Sequence, residues 1–329
     1  MKKSLMTLGV LALFVLMAYG QEKKFALYSV AFYNMENLFD TIHDEGKNDY
    51  EYLPNGTNQW NTMKYKAKLK NMSEILSMLS TDKLPMGPAI IGVSEIENYR
   101  VLEDILKQPA LADRGYQYVH YEGADQRGVD CAFFYNPKLF ELTNSKLVPY
   151  VYINDTVHKT RGFLIASGNI AGEKMHFIVN HWPSRAAASP ARERAGEQVR
   201  AIKDSLLRED SAAKIVIMGD MNDDPMDKSM AVALGAKRKP ADVGPTDLYN
   251  PWWDTLKKGY GTLMYKGKWN LFDQIVFTGN LLGTDRSTLK FYKHEIFRRD
   301  FMFQKEGKYK GYPKRTQAGG VWLNGYSDH

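Results

Sequence analysis

Acidic and amide side chains follow apolar segments of strand length at several points in this sequence. In residues 214–224, KIVIMGDMNDD, an apolar run rich in β-branched residues ends at a glycine and leads into Asp220 and Asn222. Such a run predicts a strand buried on both faces, and side chains two residues apart on an extended backbone point the same way. A carboxylate and an amide placed together suit a divalent metal ion or an attacking water. A simple turn is the alternative, because Gly, Asp and Asn are also common turn residues.

Two further segments repeat this arrangement. Asn34 and Glu36 follow a predicted strand at residues 25–32, and Glu95 comes directly after a predicted strand at residues 88–93. A carboxylate at the end of a buried strand is costly to bury unless a cation or a hydrogen-bond donor meets it. Glu95 therefore indicates a metal site, whereas for Asn34 and Glu36 an ordinary polar strand-to-loop transition is the alternative.

Histidine and arginine residues add proton transfer and anion binding to this set. His181 follows a predicted strand at residues 175–179, where a general acid would be useful, although a structural histidine is the alternative. Arg127 precedes a predicted strand at residues 131–135. Its guanidinium can hold a phosphate oxygen or pair with a neighbouring carboxylate, and the sequence does not separate these two roles.

The elements that must position these residues alternate along the chain. Helical periodicity and further apolar runs predict helices at residues 62–80, 99–107 and 186–208 and strands at 116–121 and 269–277. The last of these strands carries Asp273 amid apolar neighbours, where an edge or capping residue is the alternative. Alternating strands and helices indicate α/β layers rather than a helix bundle or a β-sandwich.

The first twenty residues predict a secretory signal peptide. Lys2 and Lys3 precede an apolar stretch at residues 5–18, which is shorter than the roughly twenty residues of a membrane span. We expect cleavage before Gln21, a periplasmic or secreted location and no stable membrane insertion, with a membrane anchor as the alternative. Removing the two lysines from 44 basic residues leaves 42 against 38 acidic ones, so the formal charge falls from +6 to +4. This mild excess permits a phosphate-bearing substrate without requiring one, and the single Cys131 excludes an internal disulfide.

Seven short motifs resemble, in order and spacing, those of the endonuclease/exonuclease/phosphatase superfamily with its DNase I-like fold. They are YNMEN, SEIEN, RGVD, NHWPSR, GDMND, FDQI and SDH, and together they extend from Tyr33 to His329. The superfamily contains pancreatic-type deoxyribonuclease, exonuclease III-like repair enzymes, sphingomyelinases and inositol polyphosphate 5-phosphatases. The resemblance implies an α/β four-layer sandwich, in which two mixed β-sheets pack face to face and are flanked by helices.

The resemblance also implies a magnesium site. Glu95 would be the principal ligand, with Glu36 and Asp328 near the same ion. Asn34 and Asn222 would orient the scissile phosphate and neighbouring groups. Carboxylates and amides without a thiolate favour Mg²⁺, with Mn²⁺ or Ca²⁺ as alternatives.

Roles in proton transfer come from the same resemblance. Asp220 would align or deprotonate the attacking water, and His329, oriented by Asp273, would contact the phosphate as a base or an electrostatic stabiliser. His181 would protonate the leaving oxygen. Weaker candidates for phosphate contacts are Arg127 and Arg185.

Two features depart from the pattern of the superfamily. Ser94 stands where many relatives have a glutamine, and the sequence ends at His329 where relatives continue into another core strand. We therefore expect residues 21–329 to form one catalytic domain that lacks its last C-terminal strand. Either the sequence is a fragment, or the terminal carboxylate lies beside the active site.

The implied function is Mg²⁺-dependent hydrolysis of phosphate esters, and the first hypothesis is a phosphodiesterase or endonuclease that cleaves nucleic acid. Residues 291–315 interleave eight Lys and Arg with seven aromatic residues. Such a mixture can stack bases and neutralise phosphates, although an ordinary solvated loop is the alternative. The competing hypotheses are a sphingomyelinase-like enzyme, an inositol-phosphate phosphatase and a catalytically silent binding module on the same fold. We expect a monomer.

Overall fold

The computed structural model describes residues 25–153 and 157–329, so the predicted signal peptide at residues 1–20 lies outside the described residues. The described helices are α1 Thr62–Ser77, α2 Tyr99–Leu106, α3 Ser189–Glu209 and the short α4 Trp253–Lys257. Two of them begin at asparagines whose side chains accept hydrogen bonds from the first turn, Asn61 from Lys64 N and Asn98 from Arg100 N and Val101 N. Each such cap stabilises its helix by about 1 kcal/mol.

A first sheet of four strands has the order β1-β2-β4-β3. Its strands are β1 Val30–Leu38, β2 Ile90–Ile96, β3 Gln117–His120 and β4 Asp130–Tyr135. β1 and β2 are parallel, with Asn34 opposite Ser94, so their C-terminal ends lie at the same edge of the sheet. Asn34 and Glu95 are therefore neighbours although 61 residues separate them.

A second sheet of seven strands has the order β5-β6-β7-β8-β13-β10-β9. Its strands are β5 Glu141–Val148, β6 Phe163–Ile170, β7 Glu173–His181, β8 Lys214–Asp220, β9 Ala236–Lys237, β10 Leu248–Tyr249 and β13 Asp273–Thr278. The parallel β7 and the antiparallel β13 place His181 and Asp273 on either side of Asp220. A Cβ at position 219 would lie 2.3 Å from Asn180 O, so this close approach of β7 and β8 requires Gly219.

Two small hairpins lie outside the large sheets. They pair β11 Leu263–Tyr265 with β12 Lys268–Asn270, and β14 Gln317–Ala318 with β15 Val321–Trp322. The first hairpin leads directly into β13, and the second lies between the basic segment at residues 291–315 and the C-terminal motif. Both are therefore placed close to the edge where the long strands end.

Apolar side chains form three layers of core. Residues of both sheets meet in the central layer, which includes Ile90, Phe133, Phe177, Val179 and Met218. α1 and α2 cover the outer face of the first sheet, and α3 covers the outer face of the second. The predicted four-layer sandwich of two mixed sheets flanked by helices is confirmed.

Several predicted strands differ from the observed ones. β2 and β7 continue past their predicted ends at residues 93 and 179, so Glu95 and His181 lie within strands rather than after them. β1 begins at Val30 rather than at residue 25 and continues through Leu38, so Asn34 and Glu36 lie within it. The prediction of one strand at residues 269–277 is wrong, because β12 ends at Asn270 and β13 begins at Asp273. The break is held by hydrogen bonds from Leu271 N to Asp224 Oδ1 and from Met221 N to Phe272 O.

No helix in the described part of the chain is long and apolar enough to cross a membrane.

Candidate active site

Asn34 joins the two sheets at the edge where their strands end. Its Nδ2 donates to Glu95 Oε1 at 3.1 Å and to Asp220 Oδ2 at 3.0 Å, and its Oδ1 accepts from Glu36 N at 2.8 Å. The side chain is fully buried. These bonds fix the amide orientation, because only the NH₂ group can donate to both carboxylates.

Left-handed backbone accompanies the site residues. Glu36, Asn37, Glu95 and Asn222 have φ values of 45°, 53°, 59° and 51°. Each such residue costs of order 1–3 kcal/mol. The turn at Glu36 and Asn37 interrupts the β1–β2 register and lets Asn37 N donate to Glu95 Oε2 at 2.8 Å. The strain thus supports the orientation of the Glu95 carboxylate.

Glu95, His181 and Asp220 gather their ligand atoms within 4.8 Å of one another. His181 Nε2 lies 3.7 Å from both Glu95 Oε1 and Asp220 Oδ2. Burial, followed by the Asp273 and Glu95 carboxylates, raises the pKa of Asp220 to about 7 against opposing contributions from His329 and the Asn222 N–H. Two carboxylates and an imidazole fit a divalent cation, and a cation here would offset the cost of burying Asp220. These residues therefore fit the metal site that the sequence predicts around Glu95.

His329 lies on the other side of Asp220 and is held by Asp273. Its Nδ1 is 2.6 Å from Asp273 Oδ2, and its Nε2 is 3.7 Å from Asp220 Oδ2 and 3.5 Å from Asn34 Nδ2. Burial alone would lower the pKa of His329, but the Asp273 and Asp220 carboxylates raise it well above its ordinary value. The geometry therefore supports an imidazolium at this position.

His181 has the opposite charge preference. Burial, reinforced by Arg161 and Arg127, lowers the pKa of His181 well below its ordinary value. Its Nδ1 is buried without a hydrogen-bond partner among the described residues. Two histidines on either side of one carboxylate are thus set apart in protonation, which is a common arrangement in acid–base sites.

Glu36 and Asp328 are held together by Arg315, which also lies close enough to Glu95 for their charges to interact. Arg315 Nε is 3.0 Å from Glu36 Oε1, and Arg315 Nη2 is 2.8 Å from Asp328 Oδ2. Glu36 Oε2 also accepts from Thr316 N at 2.7 Å and lies 3.7 Å from Lys68 Nζ. Two of the three carboxylates predicted as metal ligands are thus already paired with basic side chains.

Asn222 does not project beside Asp220 as the extended-chain prediction requires. Its left-handed backbone turns the residue, so that its N–H donates to Asp220 Oδ1 at 2.9 Å and its Nδ2 donates to Trp182 O at 3.1 Å. The prediction that the two side chains point the same way is therefore wrong. In this arrangement Asn222 orients Asp220 and the end of β7.

The two predicted phosphate-binding arginines lie at the rim of the cleft. Arg127 has a half-exposed side chain, and its Nε is 3.5 Å from Asp125 Oδ1. Arg185 donates to Asp227 Oδ2 at 2.8 Å and to Asn222 O at 3.1 Å, and its guanidinium lies 4.5 Å from the Phe272 ring centroid. Arg127 therefore has donors to spare, whereas Arg185 is largely engaged.

The sequence does not single out Arg161, and the interpretation of Lys68 as part of a solvated face of the first helix is wrong because the side chain is buried. Arg161 donates to Asp125 Oδ2 at 3.0 Å and to Trp182 O at 2.8 Å, which joins the Arg127 turn to the end of β7. Lys68 is fully buried and donates to Glu36 O and Tyr326 O at 3.0 Å each. The apolar stripe of α1 surrounds Lys68, and that position was the available signal for a buried rather than a solvated lysine.

Two packed mixed sheets with acidic and histidine side chains between their strand ends define a DNase I-like protein. Residues 29–329 match the model of the Endonuclease/Exonuclease/phosphatase family, and the chain belongs to that family. A search of curated proteins found none that matches this sequence.

Solved structures are similar in fold. ANGEL2, described as a 2′,3′-cyclic phosphatase, is 11% identical with a TM-score of 0.50, over 65% of this chain and 74% of that chain. A humanized D. rerio TDP2 is 14% identical with a TM-score of 0.49, over 76% and 83%. An endonuclease/exonuclease/phosphatase family protein from Bacteroides thetaiotaomicron is 14% identical with a TM-score of 0.49, over 76% and 80%.

Proposed function

We propose that this protein is a divalent-metal-dependent phosphodiesterase that cleaves nucleic acid. Family membership supports a hydrolase of phosphate esters. The observation that carries the proposal is the arrangement around Asp220, which has the Glu95–His181 pair on one side and the His329–Asp273 pair on the other. A cation held on the first side and an imidazolium on the second would face the same phosphate group.

The residues divide the chemistry among themselves. Glu95 would hold Mg²⁺, which when bound supplies positive charge for the phosphate oxygens. His329 supplies a second positive charge, because Asp273 orients it and favours its protonated form. Asn34 fixes the separation of the two carboxylates.

Proton transfer falls to Asp220 and His181. The pKa of Asp220, raised to about 7 by burial and by the Asp273 and Glu95 carboxylates, suits a base that accepts the proton of the attacking water. We propose that His181 protonates the leaving oxygen once an anionic phosphate is bound, because the phosphate charge would oppose the burial and the arginines that keep the free imidazole neutral. A catalytically silent module is disfavoured, because each of these groups is present and Asn34, Asp220 and His329 are held by hydrogen bonds.

The proposal also includes the class of substrate and the location of the protein. A sphingomyelinase-like or inositol-phosphate activity uses the same phosphate chemistry and is the second candidate. The basic and aromatic composition of residues 291–315 favours nucleic acid. The composition of residues 1–20 supports a periplasmic or secreted site of action, and this location and the single domain at residues 21–329 remain predictions.

Hydrolysis of four substrates tests the function. Plasmid DNA, a single-stranded oligonucleotide, sphingomyelin and an inositol polyphosphate are each incubated with the full chain in Mg²⁺ and then in EDTA. We expect cleavage of the nucleic acids in Mg²⁺ only. Hydrolysis of sphingomyelin or the inositol phosphate alone would establish the second candidate, and equal hydrolysis in EDTA would refute the metal requirement.

A further inference from the structure

Two adjacent hairpins form a surface beside the candidate active site. The first is the β11–β12 hairpin at residues 263–270. The second is not the β14–β15 hairpin but the segment at residues 303–313, whose ends pair through a bridge between Phe303 and Pro313. Gly267 N donates to the Tyr312 hydroxyl at 2.6 Å, and the Trp269 and Phe303 ring centroids are 6.2 Å apart. These contacts hold the two hairpins together as one unit, which we name the double-hairpin surface.

The double-hairpin surface carries a concentrated positive charge. Its exposed lysines are Lys266, Lys268, Lys305, Lys308 and Lys310. None of the five forms an ion pair with a residue in 25–153 or 157–329, and the two segments contain a single acid, Glu306. Lysines without internal partners attract a polyanion, because binding releases the counterions that otherwise surround it.

Exposed tyrosines stand beside two of these lysines. The Tyr265 and Tyr309 side chains are 62% and 54% exposed. Lys266 Nζ lies 5.2 Å from the Tyr265 ring centroid, and Lys308 Nζ lies 5.5 Å from that of Tyr309. An exposed ring next to an ammonium group can stack a base while the ammonium neutralises the adjacent phosphate. Stacking requires an unpaired base, so this chemistry selects single strands over duplexes.

Arg298 packs among the aromatic rings beneath the surface. Its guanidinium lies 4.6 Å from the Phe303 ring centroid and 5.5 Å from that of Trp269. These inner rings are used for packing, whereas Tyr265 and Tyr309 keep more than half of their side-chain surface exposed, Tyr309 with its ring edge-to-face against Tyr312 at 5.4 Å. Backbone bonds from Gln304 N to Tyr312 O and from Gly311 N to Gln304 O close the second hairpin.

Both hairpins lead into the cleft. Asn270, the last residue of β12, accepts a hydrogen bond from Arg185 Nη1 at 3.3 Å, and β13 begins with Asp273. The second hairpin is followed by Arg315, which pairs with Glu36 and Asp328. The chain at one end of each hairpin therefore continues into residues that border the candidate active site, where Asp273 pairs with Asp220 across β13 and β8.

We propose that the double-hairpin surface binds single-stranded nucleic acid and guides it to the candidate active site. This inference rests on the proposed function and adds to it the form of the substrate and the surface that recognises it. The single acid among the unpaired lysines argues for a polyanion, and the exposed tyrosines argue for unpaired bases.

Binding is measured by fluorescence anisotropy with a labelled single-stranded oligonucleotide of about twelve nucleotides, in EDTA, over a range of salt concentrations. The test variants of the full chain are Lys266→Ser/Lys308→Ser and Tyr265→Ala/Tyr309→Ala. The matched control is Lys83→Ser/Lys138→Ser. It removes two exposed lysines close to the start of β2 and the end of β4, at the edge of the first sheet away from Glu95.

We expect the lysine variant to bind about tenfold more weakly and to reduce the slope of log Kd against log salt by about 1.4, because each lost phosphate contact contributes about 0.7 for a single strand. The tyrosine variant is expected to lose about tenfold in affinity for the single strand with little change in slope. The control variant should bind like the wild type, and a duplex of equal length should bind more weakly than the single strand.

Three results would overturn the inference. The first is equal oligonucleotide binding by the wild type and both variants, and the second is tighter binding of the duplex than of the single strand. The third is that the variants lose binding to phosphatidylglycerol vesicles while they bind the oligonucleotide like the wild type. Hydrolysis of bis(4-nitrophenyl) phosphate, which is too small to span the surface, separates this inference from the proposed function. Unchanged hydrolysis with unchanged oligonucleotide binding refutes the surface alone. No hydrolysis by the wild type, with weaker oligonucleotide binding by the variants, refutes the function and leaves the surface.

Discussion

Two couples of carboxylates differ in the groups that face their negative charge. The first couple is Glu36 and Asp328, and the second couple is Glu95 and Asp220. Arg315 pairs with both members of the first couple, and Lys68 adds a second cation behind Glu36. Glu95 and Asp220 share the neutral amide of Asn34. The first couple is therefore paired with basic side chains of the protein, although burial and the Asp328 carboxylate still raise the pKa of Glu36.

The second couple lacks such partners. Its neighbouring His181 is held neutral by burial and by nearby arginines, which lower its pKa. The second imidazole, His329, already pairs with Asp273. Arg315 and Lys68 also act on Glu95 but form their ion pairs with the first couple. Carboxylates that the fold leaves without sufficient positive charge are the ones suited to an external cation. We therefore expect the two couples to respond differently to substitution and to Mg²⁺.

The largest expected effect is the loss of catalysis at Asp220. Asp220→Asn keeps the shape of the side chain but removes the proton acceptor, so we expect turnover of bis(4-nitrophenyl) phosphate in Mg²⁺ to fall by about 10²–10⁴. The fold should persist, because the change also removes a buried carboxylate. Initial rates and thermal melting check both statements. Asp285→Asn, at an exposed position, is the matched control, and a wild-type rate for Asp220→Asn would contradict the assigned role.

Removing the cation behind the first couple should be the most destabilising change. Lys68→Met leaves Glu36 with one basic partner fewer in a buried environment, and breaking a buried pair costs about 3–5 kcal/mol of the free energy of unfolding. Urea denaturation measures this loss.

Matched variants separate charge from packing at this site. Lys66→Met changes an exposed lysine of the same helix and should leave stability nearly unchanged. Lys68→Met/Glu36→Gln should recover part of the loss, since the orphaned charge is gone. No recovery in the double variant would show that the hydrogen bonds from Lys68 to Glu36 O and Tyr326 O matter more than the ion pair.

Metal-dependent stabilisation should distinguish the two couples directly. At a hundredfold excess of Mg²⁺ over its Kd, binding to the folded state adds about 2.7 kcal/mol of stability, which appears as a rise in Tm. We expect Glu95→Gln to abolish this rise and Glu36→Gln to retain it, because Arg315 already occupies the Glu36 carboxylate. Loss of the rise in Glu36→Gln would support the ligand role that the family resemblance implies for this residue.

Apolar β-branched runs such as residues 214–218 predict where buried strands lie but not where they end, because β1, β2 and β7 continue past their predicted ends. Both β5 and β6 were missed, although β6 contains the buried apolar run FLIA, whereas the β5 sequence ELTNSKLV is mostly polar. β5 lies at the edge of the second sheet and exposes much of its surface. An edge strand needs little apolar surface, so composition alone gives it no clear signal.

The sequence does not show which basic residue pairs with which carboxylate of the site. Glu36 lies within β1 and Glu95 within β2, and only the positions of Lys68 and Arg315 in the folded chain distinguish their environments. Lys68 and Glu36 are 32 residues apart, and Arg315 and Glu36 are 279 apart. Left-handed backbone at Glu95 is equally hidden, because a non-glycine residue adopts it only when surrounding contacts compensate the strain.

Glu97 shows a third way in which the protein neutralises a buried carboxylate. The pH dependence of stability that it causes is the smallest of the predicted effects. It is buried and accepts a hydrogen bond from Asp40 N at 2.6 Å. Burial and the Asp40 carboxylate raise the pKa of Glu97 to about 9. The side chain is therefore expected to hold a proton at neutral pH, where Glu36 relies on Lys68 and Arg315.

The sign of the pH dependence follows from the raised pKa of Glu97. Its contribution to stability is fully present below the unfolded pKa of 4.5 and is lost as pH rises towards about 9, because the unfolded chain ionises first. The loss is at most about 1.4 kcal/mol per pH unit. Urea denaturation between pH 5 and 8 should show stability falling less steeply in Glu97→Gln than in the wild type, and Glu103→Gln, on the surface of α2, should follow the wild type. Equal slopes in wild type and Glu97→Gln would mean that the folded protein holds this carboxylate ionised and that the Asp40 N–H and Arg100 suffice to stabilise it.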